Sequence, residues 1–88
     1  MPLIEVYTQY GCPYCVRAVA LLESKKVAFK EIDAPHGTSE REDSIRRSGG
    51  KRTVPQIFVN GRGLGGCDDI MQLDREGKLD ALLRGEKS

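Results

Sequence analysis

Cys12 and Cys15 stand three residues apart in the run Gln9-Tyr10-Gly11-Cys12-Pro13-Tyr14-Cys15. Residues i and i+3 of a helix face the same side, with Cβ atoms about 5–6 Å apart, so this pair can pass between dithiol and disulfide with modest adjustment. The disulfide would close a very short loop and stabilise by only about 2 kcal/mol. It is a weak staple but a serviceable exchangeable pair. A helix N-terminus favours negative charge, and therefore the Cys12 thiolate. Cys12 precedes the first full turn and is the more exposed thiol, whereas Cys15 falls on the apolar stripe of the helix. The expected roles follow: Cys12 attacks, and Cys15 resolves the mixed disulfide from below. A structural zinc site would need four ligands, usually in two pairs. The chain offers Cys12, Cys15, Cys67 and His36, with no second pair, so no metal is expected.

The pair needs a strand to end just before it and a helix to begin at it. Leu3 to Thr8 reads as a buried strand. Gly11 permits a sharp turn, and Pro13 suits the first turn of a helix. Cys15, Val19 and Leu22 then recur at helical spacing as far as Lys25-Lys26. Val27 to Ile32 alternates apolar and polar residues and predicts a second strand. Ser39 with Glu42 predicts a capping box opening a polar helix through about Arg47. Gln56 to Val59 predicts a third strand, Asn60-Gly61 a hairpin turn, and Arg62 to Leu64 a short edge strand. Gly65-Gly66 breaks that strand and Cys67-Asp68-Asp69 opens a helix. Ile70, Leu73, Leu79, Leu82 and Leu83 give this last segment its buried side, with a break at Gly77. A strand–helix–strand start wants parallel pairing, and the Asn-Gly hairpin wants antiparallel pairing. The expected fold class is α/β, a small mixed sheet with helices on its faces.

Composition narrows the function. The 88 residues suit a single domain spanning residues 1–88. With 39% hydrophobic and 31% charged residues, a long disordered chain is excluded. Fourteen basic against thirteen acidic residues leave a net charge of +1, so the basic excess typical of nucleic-acid binders is missing. No apolar run approaches the ~20 residues of a membrane span. Met1-Pro2-Leu3-Ile4-Glu5 lacks the basic start and long apolar core of a signal peptide. An odd count of three cysteines does not suit a secreted disulfide framework. The expected location is cytoplasmic, with no nucleic-acid or membrane partner.

Cys12-Pro13-Tyr14-Cys15 resembles the active-site motif of the dithiol glutaredoxins. Thr53-Val54-Pro55 and Gly65-Gly66-Cys67-Asp68-Asp69 resemble that family's two other signatures, in the same order, and the likeness covers nearly the whole chain. The resemblance implies a thioredoxin-like fold with sheet order 2-1-3-4. It implies a monomer that reduces protein disulfides and glutathionylated thiols, with glutathione as co-substrate. A thioredoxin would be expected to carry Trp-Cys-Gly-Pro-Cys, and this chain contains no Trp.

Carried over residue by residue, the resemblance makes Pro55 a cis-proline facing the dithiol; by itself, Val54-Pro55 reads equally well as an ordinary strand start. Val54 then offers its backbone to an extended substrate beside Thr53. Gly66 allows close backbone approach, and the amides of Cys67 and Asp68 receive the γ-glutamyl carboxylate of glutathione. Helix capping by Asp68 is an alternative that can coexist with binding. Tyr14 flanks the glutathione sulfur, or is simply a partly exposed aromatic. Cys67 is a small helix-starting residue, with a redox switch as the second reading.

Gln9 departs from the family, which often carries a lysine there. On the sequence alone, Gln9→Lys is expected to raise glutathione affinity, unless Lys51, Arg52 or Arg41 already supplies the cation. The runner-up functions are a dimeric, glutathione-assisted iron–sulfur cluster carrier, against which Pro13 argues, and a thioredoxin-reductase-dependent redoxin, against which Gly65-Gly66-Cys67-Asp68 argues.

Overall fold

In the computed structural model, which describes residues 2–86, strand β1 (Ile4–Thr8) lies inside the sheet with a partner on each edge. It pairs in parallel with β2 (Lys30–Asp33) and antiparallel with β3 (Gln56–Val59). The Asn60-Gly61 turn returns β3 antiparallel into β4 (Arg62–Gly65), with a register shift between Ile57 and Phe58. The order is β2-β1-β3-β4. With the neighbouring helices this is the mixed sheet expected from the residues, in the thioredoxin-like order that the resemblance implied.

Side-chain alternation along the two inner strands builds two cores. Ile4, Val6, Ile57 and Val59 face one side. There they meet Ala18 and Leu22 of helix α1 (Pro13–Ser24), Ile70 of α3 (Cys67–Arg75), and Leu79 and Leu83 of α4 (Leu79–Leu83). Lys25, just past α1, clips these helices together by pairing with Asp74 at 2.5 Å and Asp80 at 3.0 Å. Tyr7 and Phe58 face the other side, edge to face at 5.7 Å, over Ala34.

Helix α2 (Ser39–Arg47) attaches to that second face mainly by polar side chains. Asp43 accepts the Tyr7 hydroxyl at 2.6 Å, and Arg47 reaches the Tyr7 oxygen and Glu5 at 2.8 Å each. The Arg47 guanidinium lies 4.4 Å from the centre of the Phe58 ring.

Two boundaries correct the sequence reading. Strand β2 begins at Lys30 rather than Val27, because Lys30 pairs with Glu5 and β1 offers no partner before Ile4. Lys26 turns the chain in a left-handed conformation (φ 58°), and Val27 and Phe29 tuck against the core instead of pairing. The cap of α2 is Thr38, not Ser39. The Thr38 hydroxyl accepts the Arg41 amide at 3.2 Å, while the Ser39 hydroxyl only meets Glu40.

Candidate active site

The parallel β1–β2 connection brings the end of β1 and the start of α1 to one edge of the sheet. Cys12 is the N-cap of α1, with extended backbone (φ −95°, ψ 109°), and Pro13 follows in the first turn. The Cys12 sulfur accepts the Cys15 amide at 3.1 Å. That amide is one of the donors a helix start leaves unpaired. Cys12 is half-buried and Cys15 is buried, and both are free thiols. Burial, followed by the hydrogen bond with Cys12, pushes the Cys15 thiol up to about 12. An accessible sulfur at the helix start above a buried, protonated one suits sequential attack and resolution.

The Val54–Pro55 bond is cis. The loop before β3 faces the dithiol, with the Cys12 thiol 3.8 Å from the Val54 carbonyl oxygen. The Gln56 side-chain amide donates to the Thr53 carbonyl at 3.1 Å. From α2, Arg41 donates to the Arg52 carbonyl through Nε at 3.2 Å and Nη2 at 2.9 Å.

The turn from β4 into α3 closes the third side. Asp69 accepts the Gly66 amide at 2.8 Å, so Asp69 rather than Asp68 caps the helix. The first backbone bond of α3 is donated by Ile70 to Gly66, which leaves the amides of Cys67 and Asp68 ahead of the helical ladder. The Asp68 side chain is exposed. A Cβ on Gly66 would stand 3.1 Å from the Pro55 carbonyl oxygen, which shows how closely the two loops approach.

Tyr14, Thr53, Val54, Pro55, Gly66, Cys67 and Asp68 all line one concavity of about 320 Å³, together with Lys51. The Arg17 guanidinium lies 5.7 Å from the centre of the Tyr14 ring. The Cys67 thiol is buried, and burial, reinforced by the Asp68 charge, raises it above an ordinary thiol.

Gln9 is tied to Arg41, whose Nη1 donates to Gln9 Oε1 at 2.7 Å and to the Ala34 carbonyl at 2.8 Å. The guanidinium is buried with this set of acceptors, so the cation near position 9 comes from α2. Sequence reasoning passed over Gln56 as the brace of the Thr53 loop and Asp69 as the cap. Asp69 was legible in principle, since it stands at the third position after a side-chain-less N-cap. Among the described residues no cluster of three metal-ligating side chains forms, and no helix is long and apolar enough to cross a membrane.

The glutaredoxin family model matches residues 4–64. The chain is 50% identical over 84 residues to Glutaredoxin 3 of Escherichia coli strain K12, covering 96% of this chain and all of that one. It is equally identical over 84 residues to Glutaredoxin 1 of Rickettsia conorii, covering 94% of this chain and 82% of the relative. The solution structure of a glutaredoxin from Brucella melitensis superposes with a TM-score of 0.84 at 47% identity, covering 98% and 94% of the two chains. A buckwheat glutaredoxin–glutathione complex superposes with a TM-score of 0.81 at 28% identity, covering 96% and 78%.

Proposed function

The chain belongs to the glutaredoxin family and is a thiol–disulfide oxidoreductase, and from that premise we propose that it reduces glutathionylated thiols and protein disulfides at the expense of glutathione. One observation carries this reading. The Cys12 thiol contacts the Val54 carbonyl, and the Val54–Pro55 loop meets the open amides of α3 in a single concavity. An accessible nucleophile thus borders an edge-like backbone and an anion-binding helix end. The buckwheat relative's complex with glutathione supports the same ligand here.

In the proposed reaction the Cys12 thiolate attacks the glutathione sulfur of a mixed disulfide. A Cys12–glutathione disulfide forms, and the substrate thiolate leaves and takes a proton from solvent. A second glutathione thiolate attacks the bound glutathione sulfur, releasing oxidised glutathione and the Cys12 thiolate. With a protein disulfide, Cys12 forms the mixed disulfide with the partner, and Cys15 loses its proton and attacks Cys12. Two glutathiones then reduce the Cys12–Cys15 disulfide. The hydrogen bond and charge of Cys12 help to hold Cys15 protonated. Once Cys12 is bonded to a partner that charge is gone, and Cys15 becomes easier to ionise when it is needed.

We assign the γ-glutamyl carboxylate to the Cys67 and Asp68 amides, the glutathione backbone to Val54 beside Thr53 and Pro55, and close approach to Gly66. Tyr14 flanks the sulfur. Lys51, exposed on the wall of the concavity, supplies the cation for the glycine carboxylate, while Arg41 anchors the adjoining loop through the Arg52 carbonyl. We take the unit to be a single domain acting as a monomer in the cytoplasm. The test is a coupled assay with glutathione, glutathione reductase and a small glutathione mixed disulfide. Turnover on the scale of seconds is expected. Failure with glutathione, alongside activity with thioredoxin reductase, would replace this reading by the redoxin alternative.

A further inference from the structure

A second groove, of about 770 Å³, borders both Cys12 and Cys15 between α1 and β2. It shares no lining residue with the concavity that holds Tyr14 and the Val54–Pro55 loop. Its α1 wall is apolar as far as Ala20: Val19 is half-buried, Val16 is 68% exposed, and Tyr10, 97% exposed, stands at the groove's mouth. Unpartnered apolar surface of this kind beside a reactive sulfur marks a contact site.

The same groove is lined by Glu23, Glu31 and Asp33 and by no lysine or arginine. Among the described residues, no cation pairs with any of the three. Thr8 Oγ1 donates to Glu31 at 2.9 Å and holds that carboxylate at the wall. The chain as a whole is nearly neutral, at +1, so this acidity is local.

We propose that this groove receives the segment flanking the attacked cysteine of a disulfide-bearing partner protein, and that it selects segments carrying Lys or Arg beside an apolar side chain. The proposal rests on the dithiol chemistry of Cys12 and Cys15. A mixed disulfide tethers the partner at Cys12, and its chain leaves that sulfur along whichever surface fits it. Glu23 lies about 16 Å along α1 from Cys12, the reach of about five extended residues. The selected cations therefore fall within about five residues of the reacting cysteine. The step balances: Cys12 bonds to one partner sulfur while the other departs as a thiolate and is protonated by solvent.

The test is single-turnover oxidation of the pre-reduced protein by two peptides. Each holds one internal disulfide and one leucine, with two lysines in one and two glutamates in the other near the attacked cysteine. A small neutral disulfide serves as reference. The lysine peptide is expected to react about 3- to 10-fold faster at low salt, the scale of a few exposed ion pairs, with the gap closing as salt rises. Intrinsic differences between the peptides cancel when the same ratio is taken for the Glu23→Lys, Asp33→Lys double variant. Both residues are exposed, so folding is not at stake, and the ratio is expected to invert. A ratio unchanged by the double variant, with the neutral disulfide still reduced, would overturn the docking proposal alone. No reduction of the neutral disulfide by the parent protein would overturn the dithiol reading beneath it. Concentration-dependent dimerisation lost in the double variant would assign the groove to a second copy and overturn the proposal as well.

Discussion

Arg41 Nη1 donates to Gln9 Oε1 at 2.7 Å across 32 residues of sequence, and this contact sets a buried guanidinium beside the turn that carries Cys12. Position 9 alone looks short of a cation. The fold brings one there from α2, and Gln9 is its acceptor.

Gln9→Lys therefore has the opposite consequence from the affinity gain expected from sequence alone. It removes an acceptor and sets an ammonium against the guanidinium. Losing a hydrogen bond to a charged group costs about 1.5–3 kcal/mol, or a fall in Tm of roughly 6–24 °C for a domain of this size. Thermal melts are expected to show that fall, with no tighter glutathione binding. A variant that melts like its parent and binds glutathione more tightly would overturn this reading of the Gln9–Arg41 contact.

Arg41→Lys keeps the charge but loses the fork onto the Arg52 carbonyl, which anchors the segment leading to Thr53-Val54-Pro55. The KM for a glutathione mixed disulfide is expected to rise several-fold while kcat moves less. Equal KM values in steady-state assays would show that the loop holds its place without the fork.

Cys12→Ser is expected to abolish all turnover, because the other two thiols are buried. Cys15→Ser is expected to retain reduction of glutathione mixed disulfides and to lose most reduction of protein disulfides. Near-normal turnover by Cys12→Ser in the coupled assay would remove Cys12 from its role as nucleophile.

Gly65 has a φ of +97°, and a Cβ there would run into the Asp69 side chain that caps α3. Gly65→Ala is expected to cost about 1–3 kcal/mol through the left-handed backbone and the displaced cap. Glutathione KM is expected to rise with it, since the same turn presents the Cys67 and Asp68 amides. Denaturant unfolding and glutathione kinetics on one preparation would check both.

Burial, followed by the hydrogen bond with Cys12, pushes the Cys15 thiol up from about 9 to about 12 in the fold. Between these values the unfolded chain has lost a proton that the folded protein keeps, so folding stability must fall as pH rises from about 9 to 12. Tyr7 and Cys67 are raised as well and add the same sign. Comparison with Cys15→Ala isolates the Cys15 contribution, and the variant's stability is expected to decline less steeply over that window. Parallel profiles would show that Cys15 ionises as readily in the fold as outside it.

The local chemistry of this protein is written in short stretches of its sequence. Gly11, Cys12, Pro13 and Cys15 specify a turn and a helix start because caps, fixed proline φ and i,i+3 facing depend on residues within a few positions of each other. Asn60-Gly61 specifies its hairpin for the same reason. The β-branched and aromatic run Ile57 to Val59 marks a strand, and the Cys-Pro-Tyr-Cys, Thr-Val-Pro and Gly-Gly-Cys-Asp-Asp signatures carry the resemblance to the family. Tertiary structure alone decided two further things. Strand β2 opens at Lys30 because its pairing with β1 begins at Glu5, a matter of pairing rather than propensity. Arg41 turns inward from an otherwise polar helix because the Gln9 side chain and the carbonyls of Ala34 and Arg52 converge on it there. A charged residue on a polar helix is by default solvated, and only the packed arrangement of three distant segments gives it enough acceptors to be buried.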